Sequence, residues 1–267
     1  MQRRTWSLVL LGALAAAATG GLFLAGCEDG NDTAEPPPPP AYFRNEPVNG
    51  RISFAGRDWQ VRSDAAPISP GPNYFTDSGS NVWVDNDGLH LRITHRNGNW
   101  QCAELVGEGT FGYGMYRFFL VGRPDLFNEN VVLGLYTWDD DPPYDHREAD
   151  IEFSKWGMVT NQNIQYVVQP YYLDGNMHRF DLPLTGTHST HSFDWHAGGV
   201  DFQSALGHYV DPPATQVVQT WTCSTASVFP PGNEKLHINL WLFSGFPPTD
   251  AQETEVVFTN IEFIPGG

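Results

Sequence analysis

"DHREADIEFSKWG", residues 145–157, carries three carboxylates at every second position: Glu148, Asp150 and Glu152. Ala149, Ile151 and Phe153 alternate with them. A period of two is the signature of a β-strand, in which neighbours i and i+2 share a face. A strand over 148–153 therefore sets an acidic row on one side and an apolar row against a core. Like charges held this close raise one another's pKa. A fold gains no stability from that, whereas a site needing one ionised and one protonated carboxyl does. A merely acidic solvent face is the bland alternative.

Working outward, short runs of β character recur between turn residues. "GLHLRITH" (88–95) alternates Leu89, Leu91 and Ile93 with polar residues. "YGMYRFFLV" (113–121), "NVVLGLYTW" (130–138), "NIQYVVQPYY" (163–172), "HSFDWH" (191–196), "TQVVQTWT" (215–222), "KLHINLWLF" (235–243) and "ETEVVFTNIEFI" (253–264) follow. Turn clusters such as "DNDG" (85–88) and "LDGN" (173–176) separate them. Many short strands between such turns predict an all-β sandwich or barrel. The aromatic content of 13% agrees.

The N-terminus reads differently. Arg3 and Arg4 precede an apolar run from Trp6 to Gly26 that ends in Leu24-Ala25-Gly26-Cys27. A charged start, an apolar middle and small residues before a break are a secretory signal. The last four residues resemble a bacterial lipobox, which implies cleavage after Gly26 and lipidation of Cys27. An uncleaved membrane helix is the alternative, since the run is nearly long enough to span. Residues 27–41 are acidic and then proline-rich, with Pro36 to Pro40 consecutive. They form a stiff polyproline spacer rather than a core. The expected organisation is a signal over 1–26, a linker over 27–41 and one domain over 42–267. It places the domain outside the cytoplasm, lipid-anchored to the bacterial cell envelope, at the outer membrane, in the periplasm or on the cell surface.

The net charge of −17 becomes −19 once the signal, with Arg3 and Arg4, is removed. Such a domain repels polyanions, so nucleic acid is excluded as a partner. In an oxidising compartment the two cysteines left after Cys27, Cys102 and Cys223, are expected to pair. His188 and His191 are read as a polar strand end rather than a zinc site. The run Asp139 to Asp141 offers oxygen ligands but lacks the spacing of a calcium loop. No cofactor and no catalytic metal are expected, with a structural calcium left open.

"EADIEF" (148–153) resembles the E-x-D-x-E-F signature of glycoside hydrolase family 16, which includes lichenases, laminarinases and xyloglucan endotransglycosylases. Further segments resemble the family in its own order: "AELVGEGTFGYGMYRFFLV" (103–121), "NVVLGLYTWDD" (130–140), "THSFDW" (190–195), "INLWLFSG" (238–245) and "VFTNIEF" (257–263). The resemblance implies a curved β-sandwich of the concanavalin A-like jelly-roll type, with the cleft on the concave sheet. It makes Glu148 the nucleophile, Glu152 the general acid/base and Asp150 the residue that assists the nucleophile. It also implies cleft positions for Glu104, Tyr136, Trp138, Asn239 and Trp241, with Trp156 beside them. The implied activity is retaining endo-hydrolysis of a neutral β-glucan-like polysaccharide by a monomer whose membrane contact is its N-terminal lipid. A transglycosylase and a non-catalytic glycan-binding module are the competing readings. Departures fall in the subsites: Val106 stands where lichenases often carry arginine, and Gln169 where a tyrosine is expected.

Overall fold

The computed structural model describes residues 43–224 and 228–266. The signal, Cys27 and the linker expected over 27–41 lie outside the described residues. In chain order the strands are β1 (Arg44–Asn45), β2 (Arg51–Phe54), β3 (Arg57–Val61), β4 (Tyr74–Phe75), β5 (Val82–Asp85), β6 (Leu89–Arg96), β7 (Asn99–Gly107), β8 (Gly114–Val121) and β9 (Val131–Trp138). Then come β10 (Ala149–Phe153), β11 (Ile164–Val168), β12 (Met177–Phe180), β13 (His188–His196), β14 (Gly199–Leu206), β15 (Val217–Cys223), β16 (Lys235–Leu242) and β17 (Thr254–Pro265). Among the described residues the helices are three single 3₁₀ turns.

The strands form two antiparallel layers of a curved β-sandwich of the jelly-roll type. The cleft sheet runs β12-β11-β10-β9-β16-β7-β3-β2. The back sheet runs β15-β14-β13-β8-β17-β6-β5-β1. The hairpin between β6 and β7 joins the layers, and β4 adds to β7 in parallel.

The alternation of the carboxylate stretch explains its placement. Ala149, Ile151 and Phe153 are fully buried between the layers. Phe153 meets the edge of His191 from β13 at 4.9 Å. One strand over, Tyr166 stacks on Phe202 and donates its hydroxyl to Ser204 Oγ at 2.6 Å. Burying Ile151 and Phe153 stabilises by roughly 1.5–3 kcal/mol each, which pins the register of β10. A slip of one residue would turn the carboxylates into this core.

The segment "NIQYVVQPYY" was expected to continue as a strand to residue 172, but β11 ends at Val168. Pro170 has no N–H for a ladder, and Tyr171 and Tyr172 are exposed. The Cys102–Cys223 disulfide is not formed. Cys102, on β7, is buried with its Sγ directed at Asn73 Oδ1 (3.4 Å). Cys223 ends β15 at the far edge of the other sheet, its Sγ facing the Gly175 carbonyl at 3.7 Å. The sandwich thus sets the two thiols on different elements with different neighbours, which spacing along the chain does not reveal. His191 is likewise a core residue, held between Ser189 and Ser204 hydroxyls at 2.9 and 2.7 Å. Burial holds its imidazole neutral, with a pKa lowered to about 3.

Candidate active site

Glu148 precedes β10 in an extended conformation (φ −95°, ψ 119°), so the two-residue alternation includes it. Its carbonyl accepts the Gln169 N–H at 3.0 Å, which continues the ladder beyond the strand. Glu148, Asp150 and Glu152 all line one cleft of about 880 Å³. The turn that delivers Glu148 is unusual: Tyr144, Asp145, His146 and Arg147 all have φ between 50° and 62°. Left-handed backbone is costly for such residues, so tertiary contacts must hold it. Arg147 supplies them, donating to Asp139 Oδ2 at 2.6 Å and to the Pro230 carbonyl at 3.0 Å.

Cross-strand neighbours share a face, so the register builds the cleft floor. One row runs Asp150, Tyr136, His237, Val106, Gln60 across β10, β9, β16, β7 and β3. The next row runs Glu152, Gly134, Asn239, Glu104. Gly134 lies between Glu152 and Asn239, and its N–H donates to Asn239 Oδ1 at 3.2 Å.

Hydrogen bonds fix the second row. Arg62 Nη1 donates to Glu104 Oε2 at 2.8 Å, and Tyr136 hydroxyl donates to Glu104 Oε1 at 3.2 Å. His237 Nδ1 lies 3.1 Å from the same Oε1, and Asn239 Nδ2 donates to the Tyr136 oxygen at 3.1 Å. Burial works against the charge on Glu104, but His237 and Arg62 outweigh it and hold the carboxyl below its usual range. In place of the arginine missing at position 106, the guanidinium at Glu104 comes from Arg62, the residue after β3.

The three carboxyls of the row behave oppositely. Burial raises the pKa of Glu148, and the charge of Glu152 adds to it against a hydrogen bond from Asp150. Asp150 is pushed far above the usual range by burial and then by the charges of Glu148 and Glu152. One of its buried oxygens, Oδ2, has no hydrogen-bond partner. Glu152 is raised by burial too, while the Gln165 hydrogen bond and the Arg179 charge pull it back. The row therefore holds shared protons near neutral pH. It is an arrangement in which one carboxyl can donate a proton while its neighbour attacks as an anion.

The aromatic residues expected at the cleft divide. Tyr136, Trp138 and Trp241 line it, as do Glu104 and Asn239. Trp138 stacks on His146 at 4.0 Å and donates its indole N–H to Asp140. Trp156 does not line the cleft. It stands edge-on to Trp241 at 6.3 Å and to Phe243 at 5.6 Å. Sequence reading missed Arg62, Gln165, Arg179, Lys235 and His237. The spacing of His237 and Asn239 beside Trp241 on one strand was the signal available for His237.

The chain matches no family model and no curated protein. Solved structures do match. A Bacillus licheniformis β-glucanase is 19% identical, with a TM-score of 0.53 over 83% of this chain and 97% of its own. A Bacteroides ovatus family 16 protein acting in mixed-linkage glucan use, solved with a G4G4G3G product, is 13% identical, with a TM-score of 0.58 over 83% and 99%. A Mycobacterium tuberculosis antigen described as a pseudo β-1,3-glucanase is 17% identical, with a TM-score of 0.59 over 84% and 98%. The fold is that of the family 16 glycoside hydrolases. At these identities the likeness speaks for the architecture; the chemistry rests on the residues above. Among the described residues no group of His, Cys, Asp and Glu side chains is arranged to hold a metal.

Proposed function

We propose that the chain is a retaining, endo-acting glycoside hydrolase of a neutral β-glucan-like polysaccharide. The observation that carries this reading is the row Glu148, Asp150, Glu152 lining one open cleft that crosses five strands. Glu148 attacks the anomeric carbon and Glu152 protonates the leaving oxygen, then deprotonates the water that releases the product. Asp150 keeps its own proton and shares it with Glu148 as a hydrogen bond, which favours the anionic nucleophile while Glu152 is protonated. Trp138 and Trp241 offer faces for the C–H sides of sugar rings, and Glu104, Asn239 and His237 offer partners for hydroxyls.

The second reading is a glycan-binding module without turnover; the same fold is found in a protein described as a pseudo β-1,3-glucanase. The complete carboxylate row favours the hydrolase, because binding alone does not call for three adjacent carboxyls of raised pKa, one buried and two half-buried. A transglycosylase, with a sugar as acceptor in place of water, is compatible with the same row. The chain is proposed to act as a monomer, tethered through a lipid on Cys27 outside the cytoplasm, and to need no cofactor. Reducing-sugar release from lichenan, laminarin, xyloglucan and galactans, with the anomeric configuration of the first product followed by NMR, tests the reading. Retention supports it; inversion, or no cleavage of any glycan, overturns it.

A further inference from the structure

The cleft does not stop at the strands that carry the site. The row Asp150, Tyr136, His237, Val106, Gln60 continues one strand further to Arg51, which pairs with Gln60 across β2 and β3. A second cavity, of about 470 Å³, opens there, lined by Asn49, Arg51, Ser63, Asp64 and Asp77. Gln60 and Arg62 border both cavities.

Arg62 is a fixed divider. Its Nη1 donates to Glu104 on the cleft side and its Nε lies 3.5 Å from Asp64 on the other. Its guanidinium sits 5.0 Å from the centre of the Phe75 ring. These three contacts hold the guanidinium in place where it borders both cavities.

The geometry points to a distal carbohydrate-binding subsite in this second cavity, which takes further neutral sugar residues of the same polysaccharide chain that occupies the cleft. This inference rests on the glycan-cleaving reading of the cleft and extends it. The cavity's lining differs in kind from the cleft: it has carboxylates, guanidinium, amide and hydroxyl groups and no aromatic ring. Such a surface recognises hydroxyls by hydrogen bonding rather than ring faces by stacking. Adjacent strands are ~4.8 Å apart, so five strand steps from β10 to β2 cover about 24 Å, enough for about five sugars in an extended chain. The substrate is accordingly a long polymer, and short oligosaccharides leave the subsite empty.

The test is chain length. Neutral β-gluco-oligosaccharides of three to seven units are assayed with the wild-type protein, and kcat/KM is expected to rise until the chain reaches the distal subsite. Arg51→Ala combined with Asp77→Ala should lower kcat/KM on the longest member by about tenfold, the size of one or two lost hydrogen bonds. It should leave the three-unit substrate unchanged. Equal losses on short and long chains, or a wild-type rate flat beyond three units, would overturn the subsite while leaving the hydrolase reading intact. If no member is cleaved, the hydrolase reading fails, and calorimetric binding of the same series to wild type decides the subsite. Affinity that grows with length and collapses in the double variant on long chains supports it. Affinity independent of length removes it.

Discussion

Gln165 donates from Nε2 to Glu152 Oε2 at 2.7 Å, across from the neighbouring strand. Its amide can point only this way, because Arg179 places Nε and Nη2 on Gln165 Oε1 at 2.9 and 2.5 Å. A carbonyl must accept what a guanidinium donates, so the NH₂ end faces the carboxyl. The chain Arg179, Gln165, Glu152 thus stabilises the ionised form of the proposed acid/base against its burial.

Gln165→Leu removes that donation, and the pKa of Glu152 should rise. The alkaline limb of the kcat/KM profile, set by loss of the acid proton, should move up by about one pH unit. One unit corresponds to about 1.4 kcal/mol, the scale of one hydrogen bond to a charged group. Arg179→Leu should give a smaller shift in the same direction, and Arg179→Lys should recover part of it. A lower kcat with an unmoved profile would show a structural role instead.

The roles proposed for the carboxyls predict a separate pattern. Glu148→Gln should abolish turnover with the domain still folded, since an amide cannot attack the anomeric carbon. Glu152→Gln should lose about 10²- to 10⁴-fold on polymers, and far less on aryl glycosides whose leaving group needs no proton. Azide should restore Glu152→Ala with retained configuration, by attacking the glycosyl-enzyme from the vacated side. Asp150→Asn should fall between, because it changes the group that hydrogen-bonds the nucleophile and not a reacting group. Initial rates on paired substrates, with NMR of the azide adduct, check all four.

How much of this was legible in the sequence depends on the range of the interaction. The carboxylate row and its buried partners Ala149, Ile151 and Phe153 repeat every second residue within one strand, so a period announces them. The aromatic and amide positions Tyr136, Trp138, Asn239 and Trp241 share that period on β9 and β16. Arg62, Gln165 and Arg179 carry no such mark. They reach Glu104 and Glu152 through pairing of strands distant in sequence, 42 residues apart for Arg62 and Glu104. Val106 taught the same lesson in reverse: the guanidinium sought there arrives from Arg62, the residue after β3. The failed Cys102–Cys223 pairing shows that compartment and parity cannot stand in for proximity. Arg147 was illegible for another reason, since a run of four left-handed residues follows no propensity and is imposed by its contacts.

Stability should vary with pH in a sense that the row dictates. A carboxyl raised in the folded state binds its proton more tightly there than in the unfolded chain. The folded state is therefore favoured at low pH and loses that advantage as pH rises. For Glu148 the window runs from its ordinary 4.5 to about 8. Glu148→Gln and Asp150→Asn should melt above wild type at pH 8, and the gap should close toward pH 4. Thermal melts across that range, with activity measured in parallel, check the sign. A gap that widens on acidification contradicts it.

The thiols give a prediction opposite to the disulfide expected from compartment. Burial pushes the Cys102 thiol up to about 12, so it should resist alkylation in the native protein. A domain beginning at residue 42 should show no reaction at Cys102 when native and two labelled thiols when denatured without reductant. Reductant should leave its melting temperature unchanged. A single disulfide found by mass spectrometry would refute this.

Gly134 is the sharpest test of how the cleft floor is built. It lies across from Glu152 on one side and Asn239 on the other, in ordinary extended backbone where alanine meets no φ/ψ penalty. What forbids a side chain is space. A Cβ at this position would stand 2.5 Å from Asn239 Oδ1, well inside contact distance, and 3.4 Å from the Tyr136 ring. Asn239 cannot retreat freely, because its Nδ2 is bonded to the Tyr136 hydroxyl, which in turn is bonded to Glu104. Gly134→Ala should therefore displace the Asn239 amide and loosen the Tyr136–Glu104 chain. The overpacking should cost about 1–3 kcal/mol of stability. Activity should fall further than the melting temperature, because the displaced groups border the carboxylate row. Gly134→Ala combined with Asn239→Ala removes the clash and should regain stability while remaining poor in KM. Denaturant melts and kcat and KM for both variants distinguish this from a general loss of fold: if the double variant is no more stable than the single one, the steric account is wrong.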